Sequence, residues 1–215
     1  MLLQIALDDV TKEDAIFLID KIEQEIDILE LGTPFAFQYP ISIIKELKDR
    51  YKDLKILADY KILDGGSYMA SLAFAAGADI VTVSALAHRE TIEGVIDSAR
   101  RYGREVMVDM MAVPVSEIAK HTKMAEEAGA EYVYVHTSLD SGYGLERMKS
   151  IKAMKSGGKD IKMGVAGGIS LATLPEVLEM KPDFLIVGGA ILKSDKPEED
   201  VHKFRMSMKV VKTDG

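Results

Sequence analysis

The stretch Ile56-Leu57-Ala58-Asp59-Tyr60-Lys61-Ile62-Leu63-Asp64-Gly65-Gly66 sets an apolar run against three charges spaced Asp-x-Lys-x-x-Asp. The run reads as a buried strand. On a strand, Asp59 and Lys61 stand two apart and share one face, so opposite charges meet where the strand ends. Burying charge is costly unless it is paired. A paired, partly desolvated Asp59, Lys61 and Asp64 array suits chemistry in which negative charge develops on carbon.

Working outward, the same pattern repeats along the chain. Short apolar runs rich in Val, Ile, Leu and Tyr fall at residues 2–7, 26–31, 55–58, 80–83, 105–111, 132–135, 162–165 and 184–187. Each has the composition of a buried strand. Amphipathic stretches lie between them. The one at 11–25 opens with the capping-box-like Thr11-x-x-Asp14, and Pro40 is placed at the start of a second helix. Ala76-Gly77-Ala78-Asp79 and Ala128-Gly129-Ala130-Glu131 precede strands, where glycine takes the left-handed conformation that ends a helix. Strand starts recur every ~25 residues, the period of a parallel βα repeat. Eight such units predict an α/β fold, a single-domain (β/α)8 TIM barrel over residues 1–208, with a polar tail at 209–215 that frays. The alternative, an open doubly wound sheet, wants a glycine-rich turn after its first strand, and Asp8-Asp9-Val10 is not one.

Bulk composition narrows the partners. The 215 residues carry 27 Lys and Arg against 35 Asp and Glu, a formal net charge of -8. That disfavours nucleic acid, which needs a basic footprint, and leaves a small anionic substrate open. Without cysteine there are no disulfides and no thiolate metal site, in keeping with a reducing, cytoplasmic setting. The first nine residues lack the charged and apolar regions of a signal peptide. The longest apolar stretch, 69–87, contains Gly77 and Asp79 and reads as a helix end plus a strand rather than a membrane span.

Active sites of such barrels lie at the C-terminal ends of the strands. Alternation places Asp8, Glu30, Asp59 with Lys61, Asp109 and His136 there, facing inward above Ala6, Ile28, Leu57, Met107 and Tyr134. Six polar residues at matching depth indicate a site. Glu30, Asp59 and Asp109 form an all-oxygen set suited to Mg2+ or Mn2+, or else they bond Lys61 and the backbone. His136 has the chemistry for proton transfer. His121 and His202 fall in helical patterns and are expected on the surface, and His88, in the loop after strand four, is not counted among the site residues. After the last two strands come Gly167-Gly168 and Gly188-Gly189. Glycines there let backbone N–H groups approach a phosphate, and Lys193 either assists or is solvated.

Together these residues resemble the orotidine 5′-phosphate decarboxylase suprafamily over nearly the whole chain. Within it, Glu30-Leu31-Gly32-Thr33-Pro34, the stretch 58–66 and Val165-Ala166-Gly167-Gly168-Ile169 are similar to the 3-hexulose-6-phosphate synthases. The resemblance implies an aldolase, a carbon–carbon lyase that condenses formaldehyde with D-ribulose 5-phosphate to D-arabino-hex-3-ulose 6-phosphate through a Mg2+- or Mn2+-stabilised enediolate. It implies Glu30 and Asp59 as metal ligands, His136 as general acid and base, and Lys61 stabilising developing charge. Asp64 would orient Lys61 or bind substrate hydroxyls, reaching across the interface of a homodimer with shared sites. Asp8, Asp109, Gly167, Gly168, Gly188 and Gly189 would bind the substrate, a phosphorylated pentulose or hexulose. The related 3-keto-L-gulonate-6-phosphate decarboxylases are the alternative. They tend to carry Glu on strand five, Arg three residues after the strand-six His, Thr before the first glycine pair and Arg in the second glycine turn. Here those positions read Asp109, Leu139, Ala166 and Gly189. A phospho-sugar-binding protein without activity is the other alternative. The loop Ser138-Leu139-Asp140-Ser141-Gly142-Tyr143-Gly144 departs from the synthase pattern Asp-Gln-Gln-Ala-Ala-Gly.

Overall fold

Eight parallel strands close on themselves in chain order in the computed structural model, which describes residues 1–136 and 145–210. The strands are β1 (Leu2–Leu7), β2 (Ile28–Leu31), β3 (Lys55–Ile62), β4 (Ile80–Ser84), β5 (Glu105–Asp109), β6 (Tyr132–His136), β7 (Lys162–Ala166) and β8 (Phe184–Val187). The barrel closes through β1 and β8, with Leu2 to Ile5 in register with Phe184 to Val187. The expected single-domain (β/α)8 barrel is therefore present and the open sheet is excluded.

Alternation along each strand sorts its side chains between two cores. Ala6, Ile28, Leu57, Ile80, Met107, Tyr134 and Phe184 point into the barrel and pack there. Their neighbours Ile5 and Leu7, Leu29, Ile56, Val81, Val106, Val108, Val133 and Leu185 point outward and meet the helices. The inner layer is tight. Tyr132 and Phe184 pack edge to face with centroids 5.6 Å apart, and a Cβ on Gly164 of β7 would lie 2.1 Å from the Phe184 ring. Only glycine admits that aromatic.

The helices are α1 (Lys12–Ile22), α2 (Thr33–Gln38), α3 (Ser42–Arg50), α4 (Gly66–Ala75), α5 (Arg89–Tyr102), α6 (Val115–Ala128), α7 (Leu145–Gly157), α8 (Leu174–Glu179), α9 (Gly189–Leu192) and α10 (Pro197–Val210). Thr11 caps α1, its hydroxyl accepting from the Asp14 N–H at 3.2 Å. The last three residues of the expected 11–25 helix form a 3-10 turn instead. Pro40 precedes α3, whose Ile43 N–H donates to its carbonyl at 2.9 Å. A proline does lie within the first turn of the preceding helix, Pro34 in the short α2 that the sequence pattern does not reveal. Gly77 and Gly129 take φ +109° and +101°, as their position after a helix predicts. Helix α10 continues to Val210, past the expected tail start at 209. Residues 211–215, Leu139 and the loop 138–144 lie outside the described residues. No helix among the described residues is long and apolar enough to cross a membrane.

One device ties the N-terminal end of the barrel together four times. Asp27, Asp79, Glu131 and Asp183 each stand just before an even-numbered strand. Each donates its N–H to the carbonyl of Leu3, Ile56, Val106 or Met163 on the preceding odd-numbered strand. Each carboxylate accepts the N–H of that same residue at 2.7 to 2.9 Å. The backbone groups that the ladder leaves open at the strand starts are thereby satisfied. Asp79 also takes the ammonium of Lys48 at 2.7 Å and the guanidinium of Arg104, and Asp27 takes Arg205 at 2.9 Å.

Candidate active site

The opposite end of the barrel is built around an irregularity in β3. Ala58 pairs with Val81 and Ile62 with Val83, so Asp59, Tyr60 and Lys61 face Thr82 alone. This bulge re-aims the strand end, as bulges beside active sites do. Lys61 takes φ +43°, a conformation that costs a non-glycine residue about 1–3 kcal/mol and persists only where the surroundings enforce it. Asp59 and Lys61 meet as their spacing predicts, Lys61 Nζ standing 2.5 Å from Asp59 Oδ2. They meet through the bulge rather than along a regular strand face.

Donors surround the Asp59 carboxylate. The Thr33 hydroxyl gives a 2.7 Å bond to Oδ2, and the Thr82 hydroxyl gives a 2.8 Å bond to Oδ1. Lys61 also faces Asp109 Oδ2 at 3.2 Å. Asp109 is buried, and its Oδ1 accepts the Met111 N–H at 2.8 Å. Glu30 is buried on β2, where the Gln4 amide donates to its Oε2 at 2.6 Å. Asp8, just past β1, lies between two glycine turns. A Cβ on Gly32 would fall 2.1 Å from Asp8 Oδ1, and one on Gly188 would fall 3.2 Å from Oδ2. His136 ends β6 with Nδ1 buried and, among the described residues, without a hydrogen-bond partner.

Four carboxylates thus surround one ammonium. Burial pushes the Glu30 carboxyl well above the usual range, and Asp59 adds to the push while Lys61 opposes it. Burial likewise raises Asp8, again with Asp59. For Lys61, burial pulls downward, but Asp59, Asp109 and Glu30 outweigh it and hold the group above the usual lysine value. His136 is lowered, chiefly by burial, which favours the neutral imidazole that can accept a proton. The arrangement is a fixed cation beside a neutral base in a desolvated, electron-rich pocket, suited to removing a proton from carbon and holding the charge left behind.

The donor set also fits a hard divalent cation. Among the described residues no three His, Asp or Glu side chains are grouped closely enough to enclose a metal. Mg2+ and Mn2+ do not need such a cage, because one or two carboxylates suffice when water and substrate complete the shell. Glu30 and Asp59 provide two neighbouring carboxylates with negative charge in excess of Lys61. Asp109 instead follows the alternative weighed for the three-carboxylate set, bonding the backbone and facing Lys61.

The glycine turns stand beside this cluster. Gly167 and Gly168 follow β7 with φ +87° and +58°. Gly188 follows β8, and Gly189 opens α9, where a Cβ would meet nothing within 4 Å. Asp64 does not join the cluster of its own chain, because β3 ends at Ile62 and the chain turns outward. Its carboxylate is exposed and, among the described residues, accepts only the Gly65 N–H, at 2.8 Å. His88 and Lys193 are exposed. His202 is exposed and faces Glu25, as expected for the surface, whereas His121 is half-buried in α6. Sequence reading missed Gln4, Thr33 and Thr82. Gln4 and Thr82 carried a usable signal, since each stands two residues from an inward-facing Ala6 or Ile80. Thr33 stands in the stretch Glu30-Leu31-Gly32-Thr33-Pro34, but its reach to Asp59 depends on α2, which the sequence pattern does not reveal.

Comparison with known proteins gives a consistent result. The model of the "Orotidine 5'-phosphate decarboxylase / HUMPS family" matches residues 1–204. The 3-hexulose-6-phosphate synthase of Bacillus subtilis (strain 168) is 38% identical over 206 residues, 95% of this chain and 97% of its own. The crystal structure of 3-hexulose-6-phosphate synthase from Salmonella typhimurium aligns with a TM-score of 0.92 at 35% identity, covering 98% of this chain and 100% of that one. The 3-keto-L-gulonate-6-phosphate decarboxylase of Vibrio cholerae shares the fold, with a TM-score of 0.85 at 23% identity over 98% of each chain.

Proposed function

The chain belongs to the orotidine 5′-phosphate decarboxylase / HUMPS family, and from that membership we propose that it is an aldolase of the 3-hexulose-6-phosphate synthase type, condensing formaldehyde with D-ribulose 5-phosphate. The observation that carries the reading is the placement of Lys61 between Asp59 and Asp109 at the barrel end that also holds Glu30 and His136. Relatives at 35% to 38% identity over nearly the full length are named for that activity.

In this reading His136 takes a proton from the hydroxymethyl carbon of the ketose phosphate, and the electron pair delocalises as an enediolate. That carbon attacks the formaldehyde carbon, the carbonyl pair moves onto oxygen, and the new alkoxide takes back a proton. Lys61 holds the developing negative charge, and Asp59 with Asp109 keeps the ammonium in place. Glu30 and Asp59 would hold Mg2+ or Mn2+, whose Lewis acidity would steady the charge on the substrate oxygens. The turns at Gly167-Gly168 and Gly188-Gly189 bind the phosphate, so binding energy far from the reacting carbon positions the substrate. Asp109 and Gly189, where the decarboxylases tend to carry Glu and Arg, support the synthase reading.

The working unit in this reading is a homodimer. Leu63, Tyr68, Met69 and Leu72 flank Asp64 and are exposed, as is Phe37 of α2. Phe37, Met69 and Leu72 border a groove of about 400 Å³ that also touches Thr33 and Asp59. An exposed apolar face of this kind marks an interface, and a second copy seated there brings its Asp64 toward this site.

The test is an assay with ribulose 5-phosphate, formaldehyde and Mg2+, with and without EDTA. Metal-dependent loss of formaldehyde is the expected result. No loss, with CO2 released from 3-keto-L-gulonate 6-phosphate, overturns it in favour of the decarboxylase.

A further inference from the structure

The residue that faces the bulge in β3 is Thr82 of β4, 1% exposed. The irregular pairing takes the Lys61 N–H out of the regular ladder, and that N–H donates to Thr82 Oγ1 at 2.8 Å. The same oxygen lies 2.8 Å from Asp59 Oδ1. A backbone N–H only donates, so the Thr82 hydroxyl spends its proton on the carboxylate. One buried hydroxyl therefore links the main chain of Lys61 to the carboxylate on which the Lys61 side chain closes at 2.5 Å. The lysine is held at both ends, its amide through Thr82 and its ammonium by Asp59 directly. Lys61 also keeps φ +43°, which asks for enforcement from its surroundings.

We propose that Thr82 is a positioning residue, whose hydroxyl locks the left-handed backbone of Lys61 to Asp59 and so sets the ammonium between Asp59 and Asp109. Thr82 reaches no reacting atom in this arrangement. Its contribution is to keep the ammonium aimed, which affects the transition state more than substrate binding. The kinetic part of the test rests on the aldolase reading; the structural part does not.

Thr82→Val keeps the β-branched shape and removes both hydrogen bonds, whereas Thr82→Ser keeps both. In T82V kcat is expected to fall by about 10- to 100-fold, the loss of hydrogen bonds to a charged centre, while KM for ribulose 5-phosphate changes by less than ~3-fold. T82S is expected within ~3-fold of wild type. Independently of activity, hydrogen exchange at the Lys61 amide, slow in wild type and T82S, is expected to quicken by about tenfold or more in T82V. Thr82→Ala carries the same expectations should T82V fail to fold. Wild-type kcat in T82V, loss of activity in T82S equal to that in T82V, or unchanged Lys61 exchange in T82V each overturns the proposal. Absence of aldol turnover in the wild-type protein overturns the functional reading instead, and leaves the exchange measurement to decide the role of Thr82.

Discussion

Both ends of the barrel carry buried or half-buried acids, and they are treated in opposite ways. At the N-terminal end, Asp27, Asp79, Glu131 and Asp183 each receive a backbone N–H of the neighbouring strand, and Asp27 and Asp79 have basic partners as well. At the C-terminal end, Asp8, Glu30, Asp59 and Asp109 crowd one ammonium, and among the described residues Asp109 Oδ2 lacks a hydrogen bond. The first set closes hydrogen bonds that the barrel would otherwise leave open. The second set keeps negative charge in excess, which an ordinary fold avoids. Acids alone therefore do not mark the site. What marks it is that their charge is incompletely answered.

The sharpest way to break this contrast is to remove one charge from each end. Lys61→Ala should lower turnover by about 10³-fold, comparable to losing an oxyanion-stabilising donor. The carboxylates around it answer by taking up protons, so the barrel stays folded. Asp79→Ala should do the reverse. Lys48 and Arg104 lose their shared partner and the Ile56 N–H loses its acceptor. A stability loss of about 2–4 kcal/mol is expected, a fall in Tm of roughly 5–15 °C, with kcat of the folded protein unchanged. Thermal unfolding and steady-state kinetics on both variants decide the matter. A D79A protein that is stable but inactive would dissolve the distinction between the two ends.

A subtler test trades one property for the other at Glu30. Its folded-state carboxyl lies well above the ordinary range because of burial first and Asp59 second. A group raised in this way favours the fold below its unfolded value of about 4.3 and loses that contribution as pH rises through the folded value. Wild-type protein therefore carries a penalty at neutral pH that Glu30→Gln does not. The variant should be more stable at pH 7–8, by about 1 kcal/mol or more, with the advantage vanishing near pH 4, while aldol turnover drops about 100-fold. A Tm difference that does not change with pH would show that Glu30 is not held against its charge.

Much of this contrast was legible in the residues themselves. Strand periodicity is local, so the eight runs and the inward face through Ala6, Ile28, Leu57, Met107 and Tyr134 could be read directly, together with the polar residues one step further on. The bulge could not be read, because it depends on how β3 aligns with β4, a pairing that neither segment specifies alone. The spacing of Thr82 from Ile80 puts it on the inward face, but its role is hidden for the same reason: nothing in Ile80-Val81-Thr82-Val83-Ser84 shows that three residues of β3 stand opposite it. At the other end, the glycines of Ala76-Gly77-Ala78-Asp79 and Ala128-Gly129-Ala130-Glu131 announce helix ends in the sequence. The acid that follows matters through a strand about 25 residues earlier, and its partner becomes visible only when the barrel closes.

The smallest expected effect concerns the pH response of His136. Burial lowers it and Lys61 pushes in the same direction, while Asp109, Asp59 and Asp8 pull it back up in part. A general base must be neutral to accept a proton, so kcat/KM falls on the acid side as the imidazole protonates. Because the folded value is depressed, the midpoint of that limb should lie below the ordinary histidine value of about 6.5. Asp8→Asn removes one of the negative charges that raise His136 and should move the limb lower still, by a few tenths of a pH unit. The effect is small because Asp8 is the weakest of the three acids acting on the ring. A limb at or above 6.5, or one that moves upward in D8N, would mean that His136 is held as a cation among the acids, making the C-terminal end another place where charges are matched.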